Sequence, residues 1–125
     1  MQETFENTPA EFGVAPQAHG GLRIPVTYCH TMADVRQHID ALDDRIVALM
    51  AERSGYVAQA ARIKATPDLI VDVPRIERIV ERVREMSRDL GAPEAVAEAT
   101  YRAMIAASID FETGEFARLK PGSAA

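Results

Sequence analysis

One apolar stripe begins at Val35 and does not stop until Lys64, and it constrains this chain more than any other feature. Val35, Ile39, Leu42, Ile46, Leu49 and Met50 recur at steps of three and four, the spacing that puts side chains on one face of an α-helix. Tyr56, Val57, Ala60 and Ile63 continue it. Pro67 ends it, because proline lacks an N–H and clashes with the preceding turn. Thr31 or Asp34 can cap the start with a side-chain oxygen. Gly55 lies inside, where it costs about 1 kcal/mol against alanine. A helix from Ala33 to Lys64 is roughly 48 Å long. That exceeds the width of a small domain.

A loop, Ala65 to Val73, precedes a second stripe. Pro74 sits where a first helical turn accepts proline, and Ile76, Ile79, Val80, Val83, Met86 and Leu90 follow. Gly91 suits a left-handed stop, and Pro93 opens a third helix over Glu94 to Glu112. Its apolar residues are Val96, Tyr101, Met104, Ile105, Ile109 and Phe111, and Gly114 then Pro121-Gly-Ser mark a fraying end. The expected fold is all-α: a three-helix chain with one long first helix. Two shorter helices cannot cover the long stripe, and an uncovered patch of that size marks an interface. An intertwined homodimer is therefore expected.

Residues 1–30 hold three of the seven glycines and three of the seven prolines, with neither helical nor strand period. They read as a mobile or loosely docked tail before a helical domain over 31–118 and a short tail at 119–125. Within the first tail, Leu22 to Tyr28 is apolar enough to pack, but Pro25 limits it to an edge strand. The start, Met1-Gln-Glu-Thr-Phe-Glu, carries acids where a secretory signal wants bases, and no apolar run approaches the roughly 18 residues that cross a bilayer. The lone Cys29 cannot form an internal disulfide, which suits a reducing cytoplasm. A net charge of -5 argues against a nucleic-acid surface. The expectation is a cytoplasmic protein with no membrane or nucleic-acid partner.

Most catalytic signatures are missing: no G-x-S-x-G, H-E-x-x-H, P-loop or G-x-G-x-x-G occurs. His19, His30 and His38 lack metal-ligand spacing, and Asp40, Asp43 and Asp44 fit a solvated helical face. The informative residues are cations on the long helix. Arg53 and Lys64 are eleven residues apart, close to three turns, so they share a face with backbones about 16 Å apart. Two side chains that long can close on one small anion. Arg36 lies seventeen residues before Arg53, about 25 Å away and rotated by about 100°. It can reach the same anion only from the partner in an antiparallel dimer. Spacing alone leaves a second reading open, in which all three cations simply extend into water.

Ala33-Asp-Val-Arg36, Ile39-Asp40, Leu42-Asp43, Ala51-Glu-Arg53, Tyr56-Val, Arg62 and Lys64 together resemble the AroQ-type chorismate mutases. That all-α family includes the related isochorismate-pyruvate lyases. The resemblance covers about Met32 to Phe116, and its ordered triplet of Arg36, Arg53 and Lys64 is the specific part. It implies an intertwined dimer with two sites, and a small dicarboxylate substrate, chorismate or isochorismate. It further implies that Arg36 binds a substrate carboxylate from the partner chain and Arg53 holds one from within. Lys64 would bridge a carboxylate and the ether oxygen. Arg75 resembles a further family cation. On the third helix Ser108 and Glu112 are one turn apart, on a face expected to include Tyr101 and Met104, and Glu112 falls where the family donates to the ether oxygen.

The family commonly shows Asp-x-x-Arg-Glu entering the second helix, the Glu meeting the ring hydroxyl of chorismate. Here the run is Asp72-Val-Pro-Arg75-Ile76, and Glu77, one position on, faces about 100° away. A lyase acting on isochorismate does not need that contact, and Tyr56-Val also looks lyase-like, so both reactions stay open. The mutase reaction is pericyclic and calls for no nucleophile, metal or cofactor; it gains from conformer selection and from cations at the ether oxygen. Cations facing one another without an anion should be costly, so removing Arg53 or Lys64 is expected to stabilise the empty protein. The rival class is a non-catalytic helical dimer module docking through Arg78, Glu81, Arg82, Glu85 and Arg88.

Overall fold

The computed structural model describes residues 21–123. They form three helices, α1 (Met32–Ile63), α2 (Val73–Asp89) and α3 (Glu94–Leu119), with short 3₁₀ turns at Pro67–Leu69 and Pro121–Ser123. The all-α class and the long first helix are as the periodicity predicts. α3 packs against both α1 and α2. Arg53 meets Ser108 and Ala61 meets Lys120, so α1 and α3 run in the same direction. Arg102 on α3 reaches Glu77 while Arg88 reaches Glu94, so α2 runs antiparallel to α3.

Local chemistry fixes the helix ends. At the start of α1, Thr31 Oγ1 accepts from the Asp34 N–H at 3.1 Å, and Asp34 Oδ2 accepts from the His30 N–H at 3.2 Å. This reciprocal capping satisfies two otherwise orphaned donors. Asp72 caps α2 by accepting from the Arg75 N–H at 3.0 Å. α2 stops at Gly91, whose φ of 70° is open to glycine and strained for other residues. The Gly91 N–H then reaches the Arg88 carbonyl and the Ala92 N–H the Ser87 carbonyl, closing the helix end.

α3 does not end at Glu112. It continues through Gly114 to Leu119, because its last turns have a core to join. Phe116, 1% exposed, packs with Ala61 of α1, Ile70 of the intervening turn and Ile109. That gain outweighs the cost of one helical glycine. Residues 1–20 of the expected N-terminal tail, with His19, and residues 124–125 of the C-terminal one lie outside the described residues. Residues 21–30 are neither helix nor strand; Arg23 ties them to the end of α2, its N–H on the Leu90 carbonyl and its guanidinium on that of Asp89. Among the described residues no helix is long and apolar enough to cross a membrane.

The core lies at one end of α1. Ala61 is the only buried residue of that helix, while Ile39, Leu42, Ile46, Leu49 and Met50 are each 45–62% exposed. Truncating the core's largest fully buried side chain tests how far stability depends on α3's last turns. Phe116→Ala should cost about 3–5 kcal/mol in urea unfolding; a loss below about 1 kcal/mol would show that those turns contribute little.

Candidate active site

Beside this core, α1, the turn after it, the start of α2 and the second half of α3 line an open cavity of about 480 Å³. Arg53, Val57, Ala60 and Lys64 follow each other at steps of three and four on α1, which turns all four to the same side. α2 contributes Arg75, Ile76 and Ile79 with its cap Asp72; α3 contributes Ile105, Ser108, Ile109 and Glu112. The polar groups therefore stand on apolar walls. Low polarity around them strengthens every charge interaction inside.

Lys64 Nζ lies 2.7 Å from Glu112 Oε2, the two side chains 27% and 9% exposed. Oε2 is sealed from water and makes no well-directed hydrogen bond, so its compensation is the coulombic pull of the ammonium. Arg53 Nη1 donates to Ser108 Oγ at 3.2 Å, half-buried. Arg75 lines the same space, and the Asp72 carboxylate at its rim accepts the Arg75 N–H. Three cations thus face two carboxylates, a local positive excess in a chain of net charge -5. An anion is the complementary guest.

Of the residues singled out in the sequence, Arg53, Lys64, Asp72, Arg75, Ser108 and Glu112 all meet in this cavity. Arg36 does not. It is exposed on α1, about 25 Å along the helix axis from Arg53. Tyr101 and Met104 do not line the cavity either, contrary to the face expected for them. Tyr101 points the right way but sits about 16 Å up the helix, and Met104 is rotated about 80° from Glu112; Ile105 and Ile109 take their place. Leu69 and Ile70 fall in the expected loop Ala65 to Val73, yet they wall the cavity. An apolar pair just after Pro67 is the signal that could have marked a packed turn.

Ile76, at the position where the resemblance implies an acid, lines the cavity. Glu77 faces away, as the 100° step predicts, and receives two bonds from the Arg102 guanidinium at 3.0 and 3.1 Å. Those bonds hold its carboxyl below its ordinary pKa. Much of the charge around α2 is spent within the chain: Arg84 lies within 4 Å of Glu94 and Glu98, and Arg88 bonds Glu94.

Arg53 and Lys64 do not confront each other unpaired, which corrects the expectation that removing either stabilises the empty protein. Each has its own partner, Ser108 and Glu112. Removing Lys64 strands a buried carboxylate. Lys64→Met should therefore cost about 1–3 kcal/mol, and adding Glu112→Leu should recover most of it. A Lys64→Met protein more stable than the parent in urea would contradict that pairing.

Comparison with known proteins gives two findings. The family described as chorismate mutase type II matches residues 35–113, a span that holds every polar group of the cavity. A chorismate mutase of Methanocaldococcus jannaschii is 27% identical over 75 residues, covering 59% of this chain and 76% of that protein.

Proposed function

The chain belongs to the chorismate mutase type II family, and from that membership we propose that its cavity converts chorismate to prephenate. The observation that carries the reading is the convergence of Arg53, Lys64, Arg75 and Glu112 in one apolar-walled space. In this rearrangement the ring–ether C–O bond breaks as a C–C bond forms, with no external reagent. Catalysis then consists of folding the dicarboxylate into its reactive conformer and meeting the charge that grows on the ether oxygen.

Arg53 holds one carboxylate, its guanidinium already oriented by Ser108. Arg75 adds positive field from the start of α2. Lys64 turns its ammonium to the ether oxygen, where a mobile point charge acts most strongly as negative charge develops. Glu112 tethers that ammonium in the empty site. An ionised carboxylate accepts and cannot donate, so Glu112 adds a bond to the ether oxygen only while it carries a proton.

The second substrate carboxylate calls for one more cation. Arg36 is too remote within the chain, whereas a second copy laid antiparallel on the exposed α1 stripe would deliver the partner subunit's Arg36 and cover that stripe together. With it, four cations against two carboxylates leave two positive charges for a dianion. The proposed active form is thus a homodimer with two sites.

Ile76 favours a second reading on the same site. An apolar side chain where a ring hydroxyl would be received suits isochorismate, cleaved to salicylate and pyruvate. Purified protein given each acid separately decides between the two. Prephenate from chorismate, lost by at least about 100-fold in Arg53→Ala, supports the mutase; salicylate from isochorismate alone moves the assignment to the lyase. Turnover of neither, with no rise in melting temperature from either acid, would remove both.

The trans contribution of Arg36 has its own test. Arg36→Ala and Arg53→Ala subunits, each inactive alone, are mixed and allowed to exchange. Half the dimers should be mixed, each with one intact site, restoring roughly a quarter of wild-type turnover. Exchange without any recovery would show that Arg36 does not act across an interface.

A further inference from the structure

The end of α1 raises a question that the cavity does not answer. A helix leaves its last carbonyls without partners, and Lys64 is the residue that caps this one. Lys120, just past the end of α3, supplies the missing donors. Its Nζ donates to the Ala61 carbonyl at 2.8 Å and the Arg62 carbonyl at 3.0 Å, and also to the carbonyl of Lys64 itself. An ammonium has three protons to give, and all three are used. The same Nζ lies 4.4 Å from the centre of the Phe116 ring, a favourable place for a cation. It also sits at the negative end of the α1 dipole.

Glu112, Phe116 and Lys120 are spaced four apart, on the side of α3 that meets the end of α1. One stripe therefore grips Lys64 twice. Glu112 holds its ammonium and Lys120 holds its carbonyl, with Phe116 on Ala61 between them. The Lys120 grip is not legible from its place in the sequence, beside Pro121-Gly-Ser in the short C-terminal tail.

We propose that Lys120 is a positioning residue: by tying down the last turn of α1 it fixes the backbone from which the Lys64 side chain enters the cavity. The kinetic part of this proposal rests on the functional reading above; the backbone part does not. Lys120 does not line the cavity, so its effect on turnover passes through Lys64. An error of about 1 Å in a group that meets developing charge can cost 100-fold in rate. Ground-state binding, held mainly by arginines elsewhere, is far less sensitive.

The test is Lys120→Met in the full chain, which keeps an apolar stem against Phe116 and removes the ammonium. Amide hydrogen exchange and steady-state kinetics are measured together. The Lys64 N–H, bonded to the Ala60 carbonyl in the parent, should exchange at least about tenfold faster while the middle of α1 is unchanged. In the same variant kcat should fall about tenfold or more and KM change less than about twofold. Faster exchange with unchanged kcat would make Lys120 a helix cap and nothing more, and a raised KM at constant kcat would make it a binding group; either overturns the proposal. Wild-type protein that turns over neither acid defeats the functional reading instead, and exchange alone then judges the clamp: unchanged exchange at Lys64 overturns it. Should the Met variant fail to fold, Lys120→Gln is read the same way, since its amide carries no charge and offers two protons where the ammonium uses three.

Discussion

The docking of α3's last turns onto the end of α1 is the contact on which the rest of the site depends. Ala61 is completely buried there, and its small side chain lets the Phe116 ring come close. That one apolar contact sets the depth at which α3 sits against α1. Ser108 and Glu112 then fall opposite Arg53 and Lys64 without further adjustment, because helices are stiff over two turns. A polar cluster inside a protein is costly to assemble from mobile parts, since each ordered side chain loses rotamer freedom. Here the apolar contact orders the backbones first. The charges then need only their own side chains to settle.

The sequence revealed a good deal of this because helices advertise themselves. The 3.6-residue period of α1, the proline in the first turn of α2 and the glycine after it all act locally, so they can be read without a partner. The cation triplet was legible for the same reason: Arg53 and Lys64 share a face by arithmetic. What stayed hidden depends on a second element. Lys120 is a clamp only because α1 happens to end beneath it. Tyr101 has the right angular position on α3 and is still excluded, because the cavity closes below it. The true end of α3 is not legible in the sequence because Gly114 carries a strong local signal, which tertiary burial of Phe116 overrides.

On the proposed function, the position occupied by Ile76 separates one specific contact from the general chemistry of the site. Ile70, Ile76, Ile79, Ile105 and Ile109 form much of the wall. They carry no hydrogen-bonding information, yet they exclude water and raise the worth of each charge that remains. Discrimination between two isomeric rings rests on polar contacts that one isomer satisfies and the other leaves unpaired. Attraction for a dicarboxylate rests on net charge. These two properties are separable: on the proposed function, Ile76 in place of an acid alters the first while increasing the positive excess that serves the second.

The same helix carries two stripes in succession, and on the proposed dimer this ties assembly to chemistry. Over its first half α1 exposes Ile39, Leu42 and Ile46; over its second half it turns Arg53, Val57 and Lys64 into the cavity. A helix about 48 Å long cannot bury its first half against a chain whose core lies at the other end. Shortening it would relieve the exposed surface but delete Arg36 as well. On the proposed dimer, the exposed half of each α1 is the part that completes the other chain's site. The apolar surface that makes the single chain incomplete and the cation missing from its cavity then lie on the same stretch of helix, so one association supplies both.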